Sequence, residues 1–154
     1  MSEPGQDKIK EIARLLRILY GALVAGALFL MVVAILLVEV GGGSLAPVDP
    51  SFSRYLLVFL LVLVATSLPA GMVLFRKQMI GVQGRETMEV LNAYRSALVV
   101  RGALAEGVSF FGTIVYLIQH NYTALIIAFV VICYMILLFP HRGRMERDTG
   151  LELP

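Results

Sequence analysis

The residue of this sequence whose chemistry is most informative is a glutamate inside a long apolar run. Glu106 lies in residues 97–118, where Arg101 is the only other charged residue. An ionised carboxylate in the hydrocarbon core of a membrane costs several kcal/mol unless it is paired, hydrated or protonated. Glu106 is therefore predicted either to bind and release a proton or a sodium ion, or to make a buried hydrogen bond between helices.

Polar residues recur on one side of the helix that this run predicts. At about 100° per residue, Ser109 and Thr113 fall within roughly 80° of Glu106. Arg101 lies about 140° from Glu106 on the same wheel. We therefore expect Arg101 to extend toward lipid headgroups instead of forming an ion pair with Glu106.

Other apolar runs place polar groups at a similar depth. Thr66 and Ser67 precede Pro69, which removes a backbone hydrogen bond, and Tyr134 lies halfway along the last run. Together these groups would surround Glu106 with oxygen atoms. The predicted ion-binding or polar cluster comprises Glu106, Ser109, Thr66, Ser67, Tyr134 and Thr113.

Four apolar runs carry these residues, at about 18–38, 55–75, 97–118 and 122–139. About 20 helical residues at about 1.5 Å each match the thickness of a hydrocarbon core. The hydrophobic content of 58% and the charged content of 16% also indicate an integral membrane protein. We predict an all-α fold, a bundle of four antiparallel transmembrane helices that forms a single domain over 1–154, with mobile tails at 1–6 and 148–154.

Small residues predict where these helices pack. Gly21 and Gly26 lie in the first run, and Gly102 lies one turn before Glu106. Small side chains let helix backbones approach closely in a membrane, where lipid supplies no hydrophobic force between helices. We predict helix contacts at all three glycines.

The basic residues predict the orientation. Four precede the first run, four lie between the second and third, three follow the fourth, and only Arg54 lies in the other connections. Under the positive-inside rule both termini are cytoplasmic. Arg142 and Arg144, with Arg101, are predicted to contact lipid headgroups. We expect a multi-pass protein of the bacterial inner (plasma) membrane.

Several kinds of site are not indicated. The chain has a single cysteine, Cys133, and two histidines that are predicted to lie at opposite faces of the membrane. These residues do not make a metal or haem site. No nucleotide-binding, metalloprotease or covalent-catalysis motif is present. With a net charge of +2, nucleic-acid binding is not expected either. We predict no enzyme, no cofactor and no metal, and as partners the lipid bilayer and either a homo-oligomer or a larger membrane complex.

Residues 96–112 read SALVVRGALAEGVSFFG. This segment resembles the ion-binding helix of rotary ATP synthase c subunits, which carries Ala-Leu-x-Glu followed by a small residue and an aromatic or aliphatic stretch. The resemblance implies that Glu106 is an ion-binding carboxylate. The whole chain is similar to small four-helix inner-membrane proteins of bacteria, which implies a class and no activity.

Two functions follow from these patterns. The first is translocation of protons or sodium ions through Glu106 within an oligomer. The alternative is a non-catalytic structural or accessory subunit of a membrane complex, in which Glu106 is a buried hydrogen-bonding group.

The predicted orientation has a direct test. In a Cys133→Ala background, an impermeant maleimide added to intact cells should label a cysteine introduced at Ser44 and should not label one introduced at Gly143. This result follows because the connection that contains Ser44 is predicted to face outward, whereas Gly143 follows the fourth run and is predicted to be cytoplasmic. Labelling of the Gly143→Cys variant in sealed cells would contradict the orientation.

Overall fold

The computed structural model describes the backbone of residues 4–42, 49–82 and 84–150, and the side chains from residue 9 onward. Within these residues it contains five helices and no strand. The all-helical class predicted from the sequence is confirmed. The helices are α1 (Pro4–Gly41), α2 (Pro50–Ile80), α3 (Thr87–Gln119), α4 (Tyr122–Leu137) and α5 (Arg142–Thr149).

Three of these helices are long and apolar enough to cross a membrane, namely α1 from Ile9 onward, α2 and α3. Helix α4 has 16 residues, or about 24 Å, and passes the same test only together with α5, to which it is bent by 78°. The predicted fourth run reached residue 139, but the helix ends at Leu137, shortly before Pro140, which has no N–H to donate. The three spans indicate a membrane protein.

The ends of the helices follow local chemistry. Asp49 accepts a hydrogen bond from the Ser51 amide at 2.7 Å, and Pro50 starts α2 with a fixed backbone angle. Helix α3 ends at Gln119, and the next residue, His120, takes the left-handed conformation at φ 53°. The Asn121 side chain then accepts from the Thr123 amide at 2.9 Å, so α4 starts immediately.

Helix α3 lies at the centre of the fold, in contact with α1, α2, α4 and α5. It has the largest buried share of the three spanning helices, although its sequence is the least apolar of them. A smaller share of the residues in the more apolar α1 and α2 is buried. This distribution is the one that a lipid environment favours, because polar groups are sheltered by the other helices.

Two ends of the molecule can be distinguished by their contacts. At the end that we call the α5 end, Leu16 of α1, Met79 of α2, Leu91 of α3 and Met145 of α5 share one apolar cluster. At the opposite end, the turn end, the Ser53 hydroxyl donates to the Gln119 side chain at 2.7 Å, which ties α2 to α3.

The predicted tails overlap with these helices. Residues 4–6 belong to α1, and residues 148–149 belong to α5. Gly150 caps the end of α5, and the other tail residues, 1–3 and 151–154, lie outside the described residues. The sequence patterns did not predict α5 as a helix, because its eight residues are too polar and too short to show an apolar period.

The three predicted packing glycines differ in how closely they are approached. A Cβ on Gly102 would lie 2.8 Å from the ring of Tyr20 in α1, which is closer than van der Waals contact allows. A Cβ on Gly26 would meet its nearest neighbour at 3.4 Å, and one on Gly21 at 3.8 Å. Gly112, which the sequence patterns did not single out, packs against α4, where a Cβ would lie 3.1 Å from Ala128.

The contact between Gly102 and Tyr20 can be tested with a matched pair of substitutions. Gly102→Ala should lower the free energy of unfolding by about 1 to 3 kcal/mol, because the buried Tyr20 ring is held by a hydrogen bond to the Met135 carbonyl. Gly107→Ala, in the same helix but facing open space, should leave the stability of the single chain unchanged or slightly raised. The measurement is unfolding in mixed detergent micelles, followed by circular dichroism. Equal effects of the two substitutions would contradict the assigned contact.

Candidate functional site

Glu106 lies within the span of α3, 13 residues before the helix ends at Gln119, or about 20 Å along the axis. One oxygen of its carboxylate lies 3.4 Å from the position that a Cβ would occupy on Gly26 of α1. The side chain is half-buried at this contact between α1 and α3. Among the described residues, no side chain or backbone group forms a hydrogen bond or an ion pair with it.

Ser109 and Thr113 lie on the next turns of α3 and are completely buried. The Thr113 hydroxyl donates to the Ser109 carbonyl at 2.9 Å, within the same helix. The Ser109 hydroxyl is buried and has no hydrogen-bond partner in the part of the chain that the structure describes. These two residues therefore share the helix of Glu106 without a hydrogen bond to its carboxylate.

The hydroxyls of α2 do not join Glu106. Thr66 is exposed, and its hydroxyl donates to the Val62 carbonyl of the preceding turn at 2.8 Å. This internal bond is common for hydroxyls in membrane helices and satisfies the donor without another helix. Ser67 is half-buried and makes no side-chain hydrogen bond among the described residues. The predicted cluster is thus spread over separate places in the fold.

Arg101 lies inside the protein instead of extending toward lipid headgroups as predicted. Its side chain is 8% exposed, and its Nε donates to the Tyr134 hydroxyl at 3.0 Å. The guanidinium carbon also lies 5.6 Å from the ring centre of Phe75 in α2. A glycine at position 71 gives it room, because a Cβ there would lie 3.3 Å from Arg101 Cγ. The hydrogen bond and the aromatic rings stabilise the cation where it is.

This placement changes the predicted role of Tyr134. Its hydroxyl was expected to reach Glu106, but it accepts hydrogen bonds from Nε and Nη2 of Arg101. Arg101 and Glu106 are five residues apart, so their side chains leave α3 on different sides. The interior of the bundle therefore contains a polar link between α3 and α4 that does not include the carboxylate.

The turn end holds a second polar cluster, which the sequence patterns did not predict. Glu39 of α1 accepts hydrogen bonds from the hydroxyls of Tyr116 at 3.2 Å and Tyr122 at 2.9 Å. The His120 ring nitrogen Nε2 lies 2.9 Å from the Tyr122 hydroxyl and 3.5 Å from the Glu39 carboxylate. These contacts fasten the end of α1 to the turn between α3 and α4. In the sequence, the only indication of this cluster is that Tyr116 and Tyr122 flank His120 at the turn.

The basic residues of α5 form ion pairs at the α5 end. Arg142 lies 2.9 Å from Glu146, and Arg144 lies 3.4 Å from Asp148. Arg144 is only 17% exposed and also donates to the Leu137 carbonyl at the end of α4. Its hydrogen bond satisfies a carbonyl that has no partner within the helix. The predicted contacts of both arginines with lipid headgroups stay predictions.

The described residues contain no group of three or more histidine, cysteine, aspartate or glutamate side chains that could hold a metal ion. Their fold and site define a small helical membrane protein with a carboxylate inside its most buried spanning helix. Comparison of the chain with protein-family models, with curated proteins and with solved structures finds no match.

The hydrogen bonds between Arg101 and Tyr134 can be measured with a double-mutant cycle. Tyr134→Phe should lower the free energy of unfolding by about 1 to 3 kcal/mol, because it leaves a buried guanidinium without its acceptor. In an Arg101→Met background the same substitution should have little effect. Unfolding in mixed micelles measures all four proteins.

Tyr94→Phe provides the matched control for this cycle. The Tyr94 hydroxyl is also buried, but it has no hydrogen-bond partner among the described residues. Removing that hydroxyl should leave stability unchanged or raised. Additive effects of Arg101→Met and Tyr134→Phe would show that the two side chains do not interact.

Proposed function

We propose that this chain is a small multi-pass membrane protein that translocates protons or sodium ions through Glu106 within an oligomer. The observation that carries the proposal is the position of Glu106 within the span of α3, half-buried against Gly26, with no hydrogen-bond or ion-pair partner among the described residues. A carboxylate in this position can gain and lose a cation without breaking an internal contact. Intramembrane carboxylates of this kind commonly mark ion pathways.

The alternative, a structural or accessory subunit, gives Glu106 a different task. It needs a hydrogen-bond acceptor or donor that holds Glu106 in place between helices. The described residues do not offer one, and the polar link between helices is made by Arg101 and Tyr134 instead. The alternative would therefore require a partner group from another subunit.

Assembly into an oligomer is part of the proposal because Glu106 lies at the edge of the fold that a single chain forms. The carboxylate is half-exposed, and the neighbouring Ala103 and Gly107 are exposed on the same helix. Gly107 has open space where a Cβ would project, so a second helix can approach closely there. A second subunit at this edge would enclose the carboxylate and separate it from lipid.

The topology proposed with this function has four crossings and both termini in the cytoplasm of a bacterium. Helix α4 makes the fourth crossing, and α5 then lies along the inner membrane surface after the 78° bend. The support is the distribution of charge, because most basic residues lie near the α5 end, including those of α5 itself.

Flux measurements on reconstituted protein test the function. Glu106→Gln keeps the shape of the side chain but cannot titrate, so it should lower proton or sodium flux on the order of a hundredfold, the contribution of a positioned proton-transfer group. Glu106→Asp keeps a titratable group and should retain more flux. Liposomes loaded with a pH-sensitive or a sodium-sensitive dye, with a potassium diffusion potential as the driving force, provide the readout.

Glu39→Gln is the matched control, because it removes the same charge from the end of α1. It should leave flux close to that of the unaltered protein. Light scattering of each variant in detergent reports the oligomeric state. Flux that is unchanged by Glu106→Gln would reject the proposal, and loss of assembly in that variant would favour the accessory role.

A further inference from the structure

A groove between α1 and α3 at the α5 end is lined by both polar and apolar residues. It has a volume of about 370 Å³. From α1 it is lined by Leu19, and from α3 by two short groups of residues. The polar group is Asn92, Arg95 and Ser96, and the apolar group is Val99 and Val100.

The polar part of the groove carries the positive charge of Arg95. Arg95 is exposed and forms no ion pair or side-chain hydrogen bond among the described residues. Asn92 and Ser96 lie within one turn of Arg95 and add an amide and a hydroxyl, both of which donate hydrogen bonds. None of the described residues that line the groove is acidic. The chemistry of this part therefore favours an anion with several oxygen atoms, such as a phosphate.

Both helices change from charged to apolar along the groove. In α1 the last charged residue before Glu39 is Arg17, and Leu19 follows it by two residues. In α3 Arg95 precedes the apolar Val99 by one turn. In α2 the packing partner of the neighbouring Tyr94 is Phe75, with ring centres 5.7 Å apart, and Arg76 follows it directly. The groove thus lies where the protein surface changes from charged to apolar residues, as is expected at the level where headgroups meet acyl chains.

We propose that this groove binds one anionic phospholipid. The phosphate is held by Arg95, with hydrogen bonds from Asn92 and Ser96. An acyl chain lies along Leu19, Val99 and Val100. This site differs from the lipid contacts predicted for Arg101, Arg142 and Arg144, and it does not depend on any activity of Glu106.

Native mass spectrometry of the full-length protein in detergent tests the site with dioleoylphosphatidylglycerol as the anionic lipid. Arg95→Gln should lower the apparent affinity by about tenfold, because a charge-assisted hydrogen bond to phosphate is lost. Ser96→Leu keeps every charge but fills the groove, and it should lower the affinity similarly. Both positions are exposed, so unchanged elution in size-exclusion chromatography is expected to show intact folding.

Arg85→Gln is the control for general attraction between positive charge and lipid. Arg85 lies at the same end of the molecule, outside the groove, and is 3.5 Å from Glu89. Its substitution should leave the affinity within about twofold. Equal losses in the Arg85→Gln and Arg95→Gln variants would overturn the proposal, as would full affinity in the Ser96→Leu variant.

Two further probes identify the source of the phosphate. Dioleoylphosphatidylcholine should bind more weakly than the anionic lipid, because its headgroup carries no net charge. Glycerol phosphate, which lacks acyl chains, should not displace the bound lipid at equal concentration. Equal binding of the two lipids, or displacement by glycerol phosphate, would overturn a phospholipid site.

Discussion

The burial of the Arg101 guanidinium between α2 and α4 is the interaction on which the arrangement of the other helices depends. Arginine keeps its charge in proteins, so within a membrane its side chain must be sheltered and hydrogen-bonded. Tyr134 and Phe75 supply the hydroxyl and the aromatic face, and Gly71 leaves the space. This requirement fixes the rotation of α3 about its own axis.

The rotation of α3 then decides where its other residues point. With Arg101 against α2 and α4, the adjacent Gly102 faces Tyr20 of α1. Glu106, about 140° away from Arg101 around the helix, also faces α1, next to Gly26. The two charged residues of the span are thereby kept on different sides of α3. The contact between Arg101 and Tyr134, and the lack of a partner for Glu106 among the described residues, both follow from this one orientation of α3.

Helix α5 and the turn-end cluster fasten the two ends of this arrangement. Met145 of α5 is buried in the apolar cluster at one end, and Arg144 donates to the Leu137 carbonyl, the last of α4. At the other end Glu39 receives two tyrosine hydroxyls from α3 and α4. Between these two ends, the contact between α1 and α3 is lined by small residues and by the half-buried carboxylate of Glu106.

The sequence by itself determined the helical class, the three long apolar spans and the presence of Glu106 within one of them, because these features depend only on local composition and length. Only the tertiary structure decided that Tyr134 binds Arg101, that Thr66 faces outward and that Arg101 is buried. A helical wheel gives angles within one helix but not the partner that each face meets. Those partners depend on packing among residues far apart in the chain, such as Gly71 with Arg101 and Gly102 with Tyr20.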